Sequence, residues 1–177
     1  MVIRHAEKPP DGQPGVMPDG SPNPEALSPT GWERAKALVG LFDPPNGMPA
    51  GSPLATPMRL FASGSSSLRP AQTIMPLAAA LGNLPIDTNY RKNRLVELVA
   101  ATKGGEGPAL VAWQHEDIPQ IADLILGSAG GVPQRWPGDR FDLVWVFDSQ
   151  EGDGWRVTQV PQNLLPGDSQ SPIPLNA

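Results

Sequence analysis

The chain has 177 residues and no cysteine, which excludes disulfide bonds, thiol catalysis and thiolate metal sites. Its 13 Lys and Arg residues against 18 Asp and Glu residues give a net charge of −5, which argues against an extended nucleic-acid interface. No apolar run approaches the roughly 18 residues of a membrane helix and no leader pattern opens the chain, so we expect a soluble, cytoplasmic protein that binds neither nucleic acid nor membrane.

The length predicts a single domain over residues 1–177 that buries about two thirds of the surface of the unfolded chain. The first predicted strand is short because it starts at Met1. We therefore leave open that the strand is truncated and that upstream residues, including a leader, are missing. The 23 Pro and 19 Gly residues cluster in residues 9–24, 43–57 and 161–174, which we predict to be ordered loops and an irregular tail over 161–177.

The first predicted element is a buried strand that ends in the pair Arg4-His5. Pro9 and Pro10 stop the strand, and a loop rich in Pro and Gly follows over residues 9–27. In open α/β sheets ligands bind beyond the carboxyl ends of the strands, where this pair lies. The guanidinium of Arg4 suits a phosphate or carboxylate, and its charge favours a neutral imidazole on His5 that can act as base, ligand or nucleophile. A solvated Arg-His pair is the alternative interpretation.

A helix follows, beginning at Ser28-Pro29-Thr30-Gly31-Trp32-Glu33, with Thr30 and Glu33 at the spacing of a capping box. Apolar residues then recur at helical intervals: Trp32, Ala35, Leu38 and Leu41. We predict that this helix packs on the core and takes no part in chemistry.

Met58 to Ala62 form the second predicted strand, which leads through a serine-rich loop to a helix that begins near Arg69 and continues to Leu81. Free backbone amides and the helix dipole favour an anion at such a helix start, so Arg69 is a candidate anion ligand. A flexible loop with a solvated Arg69 is the alternative.

Residues 85–88 form a short predicted strand. Residues 91–101 form a predicted helix whose inward side chains are Leu95, Val96, Leu98 and Val99. Three basic residues precede this apolar face: Arg91, Lys92 and Arg94. Such a run of charges is typical of a solvated helix face. Contact with a substrate at the helix start is the alternative interpretation.

His115 follows the most convincing buried strand, Pro108 to Trp113. The helix after it buries a periodic set of apolar residues: Ile121, Ala122, Leu124 and Ile125. Both histidines of the protein, His5 and His115, therefore stand at strand ends, and this coincidence is the strongest signal in the sequence.

Residues 141–147 and 155–160 are two further predicted strands, joined as an antiparallel hairpin. The alternation of strands and helices before them predicts an α/β fold: a three-layer α/β/α sandwich with a mostly parallel sheet, helices on both faces and a C-terminal antiparallel hairpin. The junctions at residues 4–5, 69 and 115 can meet at one edge of this sheet. They bring two guanidinium groups and two imidazoles, a set that neutralises a phosphate dianion and offers a nitrogen nucleophile without a metal ion.

In these motifs the chain resembles the histidine phosphatase superfamily, also called phosphoglycerate-mutase-like, and within it the Arg-His-Ala-Glu-Lys-Pro subgroup. The matching segments lie between residues 2 and 126: Ile3 to Pro9, Leu27 to Gly31, Ser67 to Thr73 and the strand ending in His115. The resemblance implies a phosphatase with a phosphohistidine intermediate on His5. Arg4, Arg69 and His115 would hold the transferred oxygens, and water would release phosphate. The resemblance also implies no cofactor and no metal ion, and a phosphorylated small molecule or a phosphoprotein as substrate; the oligomeric state stays open.

The chain departs from the family pattern at several positions. Ala6 replaces the glycine after the nucleophilic histidine, as in the subgroup, and Gln114 stands where a glycine commonly precedes the second histidine. One branch of the superfamily carries its general acid between the second arginine and the second histidine, where Glu97 lies. Another carries it directly after the second histidine, where Glu116 lies. We prefer Glu116 because Glu97 lies in an apolar helix stretch; relatives without an acid favour phosphoryl groups with a good leaving group.

Two other functions stay open. The altered residues near His115 and the two acid candidates are compatible with a non-catalytic phosphate-binding or regulatory module of the same fold. A phosphoglycerate-type mutase is disfavoured because the chain is short for the loops that retain and reorient an intermediate.

Overall fold

The structure is a computed structural model that describes residues 1–150 and 154–176. Over these residues the chain forms four α-helices, one short 3-10 helix and eight strands. The helices are α1 (Pro29–Phe42), α2 (Arg69–Ala80), α3 (Leu95–Gly104) and α4 (Ile118–Leu126), with the 3-10 helix at Lys92–Arg94. The strands are β1 (Val2–Arg4), β2 (Gly15–Val16), β3 (Pro22–Asn23), β4 (Arg59–Ala62), β5 (Ile86–Asp87), β6 (Ala109–Trp113), β7 (Leu143–Gln150) and β8 (Gly154–Pro161).

Six of the described strands form one sheet in the order β5-β4-β6-β1-β7-β8, and β2 pairs with β3 separately. The first four strands of that order run parallel, β7 runs antiparallel to β1, and β8 runs antiparallel to β7. The predicted α/β fold with a C-terminal hairpin is confirmed; the turn of the hairpin, residues 151–153, lies outside the described residues. Arg4 pairs with Trp113 and Ala62 with Ala112, so β1, β6 and β4 end at the same edge.

Side chains of the sheet alternate between two apolar layers, as the pleat of buried strands requires. One layer packs the sheet on α1 and α2, and its buried members include Ile3, Leu60, Val144, Leu38, Phe42, Ile74 and Leu77. The other packs the opposite face on α3 and α4, and its buried members include Val2, Val111, Trp145, Leu98, Val99, Ile121 and Ile125. Helices therefore cover both faces, which is the predicted three-layer sandwich. No helix in residues 1–150 and 154–176 has the length and apolarity needed to cross a bilayer.

Helix α1 has a different N-terminal cap from the predicted one. The hydroxyl of Ser28 accepts the N–H of Gly31 at 3.0 Å, and Pro29 takes the first helical position, where its missing N–H costs nothing. The capping box of Thr30 and Glu33 is wrong because both residues already lie inside the helix.

The inner face of α1 also differs from the prediction. Ala35 and Leu38 are buried as expected, whereas Trp32 and Leu41 are only partly buried. The charged residue Arg34 lies inside instead, 4% exposed, because it finds acidic partners described below.

Helix α3 starts at Leu95, after the 3-10 turn, and is shifted from the predicted range. Its buried residues are Leu95, Leu98 and Val99, at positions i, i+3 and i+4, which places Val96 on the outer side at 65% exposed. The predicted inward orientation of Val96 is wrong for this reason. In α4, Leu124 is likewise only half-buried.

Two segments rich in Pro and Gly are held by specific contacts. Within residues 9–27, β2 and β3 pair as a small antiparallel sheet. Residues 162–176 form no helix or strand, yet Ile173 is 1% exposed and exchanges two hydrogen bonds of 2.9 Å with the side chain of Gln159 on β8. The C-terminal segment is therefore packed against the sheet.

Candidate functional site

Three strand-to-helix junctions meet at the edge where β1 and β6 end. The backbone N–H of His5 donates to the carbonyl of Trp113 at 2.9 Å, so the chain leaving β1 stays against the end of β6. Helix α2 begins at Arg69 beside the same edge, and the hydroxyl of its Thr73 accepts the N–H of Ala6 at 2.8 Å. The structure brings together the four residues singled out in the sequence: Arg4, His5, Arg69 and His115.

The ring of His5 is 6% exposed and held in one orientation. Its Nδ1 lies 2.7 Å from the carbonyl oxygen of Ala6, and since a carbonyl only accepts, the ring proton sits on Nδ1 and Nε2 keeps its lone pair. Burial, and then the positive charges of Arg4 and Arg69, lower the pKa of His5 to about 3 against the effect of the hydrogen bond to Ala6. The imidazole is therefore neutral at physiological pH, which is the form that a nucleophile or a base needs.

The guanidinium of Arg4 is held by a segment between α4 and β7, residues 137–141, which we call the carbonyl clamp. Its Nη1 donates to three backbone carbonyls, at 2.7 Å to Gly138, 3.1 Å to Arg140 and 3.2 Å to Pro137. The ring centroid of Phe141 lies 3.8 Å from Cζ of Arg4. Burial lowers the pKa of Arg4 to about 10, so the group remains a cation at neutral pH.

Arg69 is held from the other side by the loop over residues 9–27. Its Nη1 donates to the carbonyl of Pro24 at 3.1 Å, and Nη2 lies 3.6 Å from a carboxylate oxygen of Glu25. The Nε atoms of Arg69 and Arg4 are both buried without a hydrogen-bond partner among the described residues. A buried N–H without an acceptor is unfavourable, and an anion against these two guanidinium groups would supply one.

His115 follows β6, and its side chain is 24% exposed. Its Nδ1 lies 3.2 Å from a carboxylate oxygen of Glu116. Burial and the positive charge of Arg4 lower the pKa of His115, while the charge of Glu116 opposes this shift. Gly138 of the carbonyl clamp lies beside the ring, since a Cβ on that glycine would come 3.8 Å from Nε2 of His115. His115 and Arg4 thus both adjoin the carbonyl clamp.

The two acid candidates lie in different surroundings. The negative charge of Glu116 acts on both Arg4 and His115, where it opposes the lowering of their pKa values. Glu97 instead lies on α3 in an exposed pair with Arg94, with 3.4 Å between Oε1 and Nε. The geometry groups Glu116 with the candidate site and places Glu97 in a separate pair.

Four cationic side chains lie around the site. Lys8 and Arg135 lie near enough for their charges to lower the pKa of His115 further. They join Arg4 and Arg69, whose own neighbours include the carboxylates of Glu116 and Glu25. Within the described part of the chain, no group of three or more His, Asp or Glu side chains is arranged as a metal site.

Two clefts adjoin these residues. One, of about 700 Å³, is lined by the ends of β4 and β6 and by the segment before α3: Ser63, Ser65, Arg91, Lys92, Gln114 and Glu116. The other, of about 440 Å³, lies between Arg69 and the chain from Lys8 to Pro14. Gln114, which precedes His115, donates from Nε2 to the hydroxyl of Ser65 at 2.6 Å. The larger cleft therefore contains both Gln114 and two of the charges before α3.

The carbonyl clamp and a buried ion-pair network were not predicted from the sequence. Glu7, which follows Ala6, accepts a hydrogen bond from Nε of Arg34 at 2.9 Å, and Arg34 reaches Asp168 of the C-terminal segment at 2.7 Å. Besides packing on the core, α1 thus holds the loop that carries His5. The one sequence signal of this network was Arg34, a charged residue on the inner face of α1. The carbonyl clamp has no sequence signal, because every residue has a backbone carbonyl.

No protein-family model and no curated protein sequence matches the chain. Among solved structures, the chain is similar to the protein histidine phosphatase SixA in complex with tungstate, with 16% sequence identity, a TM-score of 0.58, and coverage of 91% of this chain and 95% of that chain. A second SixA structure, from Agrobacterium tumefaciens, shares 18% identity over 89% of this chain and 93% of that chain, with a TM-score of 0.48. The fold that the sequence resemblance implies is therefore confirmed: the chain shares the α/β fold of the SixA structure in complex with tungstate.

Proposed function

We propose that the protein is a phosphatase that hydrolyses a phosphomonoester or a phosphorylated protein through a phosphohistidine intermediate on His5. The observation that carries this proposal is the state of the His5 ring. It is buried, neutral and protonated on Nδ1, and its free Nε2 lies within the field of two arginines. A similar fold in complex with tungstate, a tetrahedral oxyanion shaped like phosphate, adds support.

In the proposed first step, Nε2 of His5 attacks phosphorus while the bond to the ester oxygen breaks. The Nδ1 proton stays on the ring, where the carbonyl of Ala6 holds it and stabilises the phosphorylated imidazole. The leaving oxygen takes a proton from the general acid, a role for which we propose Glu116 in its protonated form. The distance of 3.2 Å between this carboxylate and His115 supports that choice.

The transferred phosphoryl group carries negative charge that the site must balance. Arg4 and Arg69 remain cations, and the carbonyl clamp keeps the Arg4 guanidinium in place before substrate binds. We propose that these two side chains and His115 hold the phosphoryl oxygens, because fixed donors that require no reorganisation give the largest stabilisation of a transition state.

In the second step a water molecule attacks phosphorus, the bond to Nε2 breaks, and phosphate leaves. The proton released by water goes to the carboxylate of Glu116, which restores the acid, and His5 returns to its neutral state. The cycle balances charge and protons with water as the only co-reactant.

The test is hydrolysis of an aryl phosphate and of a phosphohistidine peptide in the presence of a chelator, by wild type and His5→Ala. We expect turnover that requires His5 and an intermediate that is labile to acid and stable to base. Tungstate binding and thermal unfolding show whether the variant is folded. A folded His5→Ala protein that retains wild-type turnover would overturn the proposal.

A phosphate-binding module without turnover is the second candidate. The exposure of Glu116, 67% at its side chain, favours it, because among the described residues this side chain is held only by its 3.2 Å contact with His115, whereas a general acid must be positioned against the leaving oxygen. Tungstate or phosphate binding by wild type, together with no phosphoenzyme and no turnover on either substrate, would support the module and reject the phosphatase.

A further inference from the structure

Thr73 connects the two elements that carry the candidate nucleophile and the second arginine. It is 0% exposed and lies on α2, one turn after Arg69. Its hydroxyl accepts the backbone N–H of Ala6 at 2.8 Å and donates to the backbone carbonyl of Arg69 at 2.7 Å. The second bond is the usual one between a helical threonine and the preceding turn, but the first reaches a different element.

The direction of both bonds follows from the donors available. A hydroxyl has one proton, and the carbonyl of Arg69 can only accept, so the proton of Thr73 points toward Arg69. The oxygen therefore presents a lone pair to the N–H of Ala6. A hydroxyl that donates a hydrogen bond becomes a better acceptor, so the bond to Arg69 strengthens the bond from Ala6. Together the two bonds tie Ala6 to the first turn of α2.

The residue after Ala6 is fixed as well. The carbonyl of Glu7 accepts the N–H of Ser28 at 3.0 Å, and its carboxylate is bound by Arg34. Ala6 itself is 0% exposed. The backbone is therefore held by hydrogen bonds on both sides of the Ala6 carbonyl, by Thr73 at the N–H of Ala6 and by Ser28 and Arg34 at Glu7. This is the carbonyl that takes the Nδ1 proton of His5.

We infer that Thr73 is a positioning residue for His5: its hydroxyl holds Ala6 so that the carbonyl keeps the ring proton on Nδ1 and leaves Nε2 free. The kinetic consequence rests on the proposed phosphatase function, whereas the state of the ring does not depend on turnover. The methyl group of Thr73 contributes packing, and the hydroxyl sets the tautomer.

The test measures the ring directly. The chain has only two histidines, so protein with ¹⁵N-labelled histidine shows two imidazoles, and His115→Asn assigns them. We expect wild-type His5 to be a single tautomer with its proton on Nδ1 near neutral pH. Thr73→Val, which has nearly the same shape but no hydroxyl, should give a mixture of the two tautomers. On an aryl phosphate its kcat should fall about tenfold or more with KM nearly unchanged, because misplacing a reacting group costs rate more than binding.

The matched control is Thr73→Ser, which keeps the hydroxyl and loses the methyl group. We expect it to retain the wild-type tautomer and a kcat within about threefold of wild type, since only a packing contact is lost. Thr73→Cys repeats the comparison if the valine variant does not fold, because its thiol replaces the hydroxyl with a weak hydrogen-bonding group of similar position.

Two results would overturn the inference: a folded valine variant, or failing that a folded cysteine variant, with a wild-type tautomer, or a serine variant that shifts the tautomer as far as valine does. If the wild-type protein hydrolyses nothing, the proposed phosphatase function fails, and the tautomer spectra still decide the role of Thr73.

Discussion

The guanidinium of Arg34 lies 2.7 Å from the carboxylate of Asp168, and the two side chains are only 5% and 6% exposed. This pair joins α1 to the C-terminal segment, and through Glu7 it reaches the loop that follows His5. Burial disfavours the charge on Asp168, but hydrogen bonds from Arg34 and from the backbone N–H groups of the C-terminal segment outweigh this effect and lower its pKa to about 2. The C-terminal segment is thereby connected to the candidate site through charge.

Asp168→Asn should lower the free energy of unfolding by about 3 kcal/mol, because removing one partner of a buried pair leaves the charge of Arg34 less compensated. The folded-state pKa of Asp168 is depressed, so its stabilisation is present above about pH 4 and is lost as the pH falls toward 2. Urea denaturation at neutral and acidic pH measures both effects. Asp11→Asn is the control, because that carboxylate is 97% exposed and should make no measurable difference. Equal stability of the Asp168→Asn variant and wild type at neutral pH would contradict the prediction.

The lowered pKa of His5 predicts that the protein loses stability in mild acid. Folded His5 titrates at about 3 and unfolded His5 at about 6.5, so between these values the unfolded state binds more protons. The free energy of unfolding should therefore fall as the pH decreases from 6.5 toward 3, by up to about 5 kcal/mol from this group. In His5→Ala the curve of stability against pH should be flatter over the same range. Parallel curves for the two proteins would show that His5 is not the group responsible.

Substituting each of the two acid candidates, Glu116 and Glu97, by glutamine separates their roles. Glu116→Gln should reduce kcat on an alkyl phosphate about 100-fold, because its leaving oxygen needs a proton. The same variant should retain most of its activity on a phosphohistidine peptide, whose leaving group needs less protonation. Glu97→Gln is the matched control and should behave as wild type on both substrates. Steady-state kinetics on the two substrates gives the comparison, and an equal loss for both variants would remove the assignment to Glu116.

Anion binding should take up a proton at His115. The pKa of this residue is lowered in the free protein, so the ring is mostly neutral at about pH 7.5. A dianion beside the ring favours its charged form, so binding adds a proton and weakens as the pH rises. Calorimetric titration with tungstate in two buffers of different ionisation enthalpy measures the uptake. We expect a fraction of a proton for wild type and none for His115→Asn; the same uptake in both would place the titrating group elsewhere.

The local pattern of apolar and polar residues was enough to locate the helices and strands and the candidate site residues. Buried strands end at Arg4-His5 and before His115, and a helix starts at Arg69, all as predicted. The prediction of buried residues was wrong where the apolar residues of a helix and its inner face do not coincide. Val96 is exposed because the buried face of α3 is formed by Leu95, Leu98 and Val99, and Arg34 is buried because it meets charges from two distant segments.

By itself, the sequence determined the α/β fold and the edge of the sheet where the candidate site lies, because hydrophobic period and strand ends are properties of neighbouring residues. Only the tertiary structure decided how the site is held. The bridge from Thr73 to Ala6 and the carbonyl clamp at residues 137–141 depend on contacts between residues that are far apart in the chain. Several of those contacts use backbone N–H and carbonyl groups that nearly every residue carries, so no local pattern distinguishes them before the chain is folded.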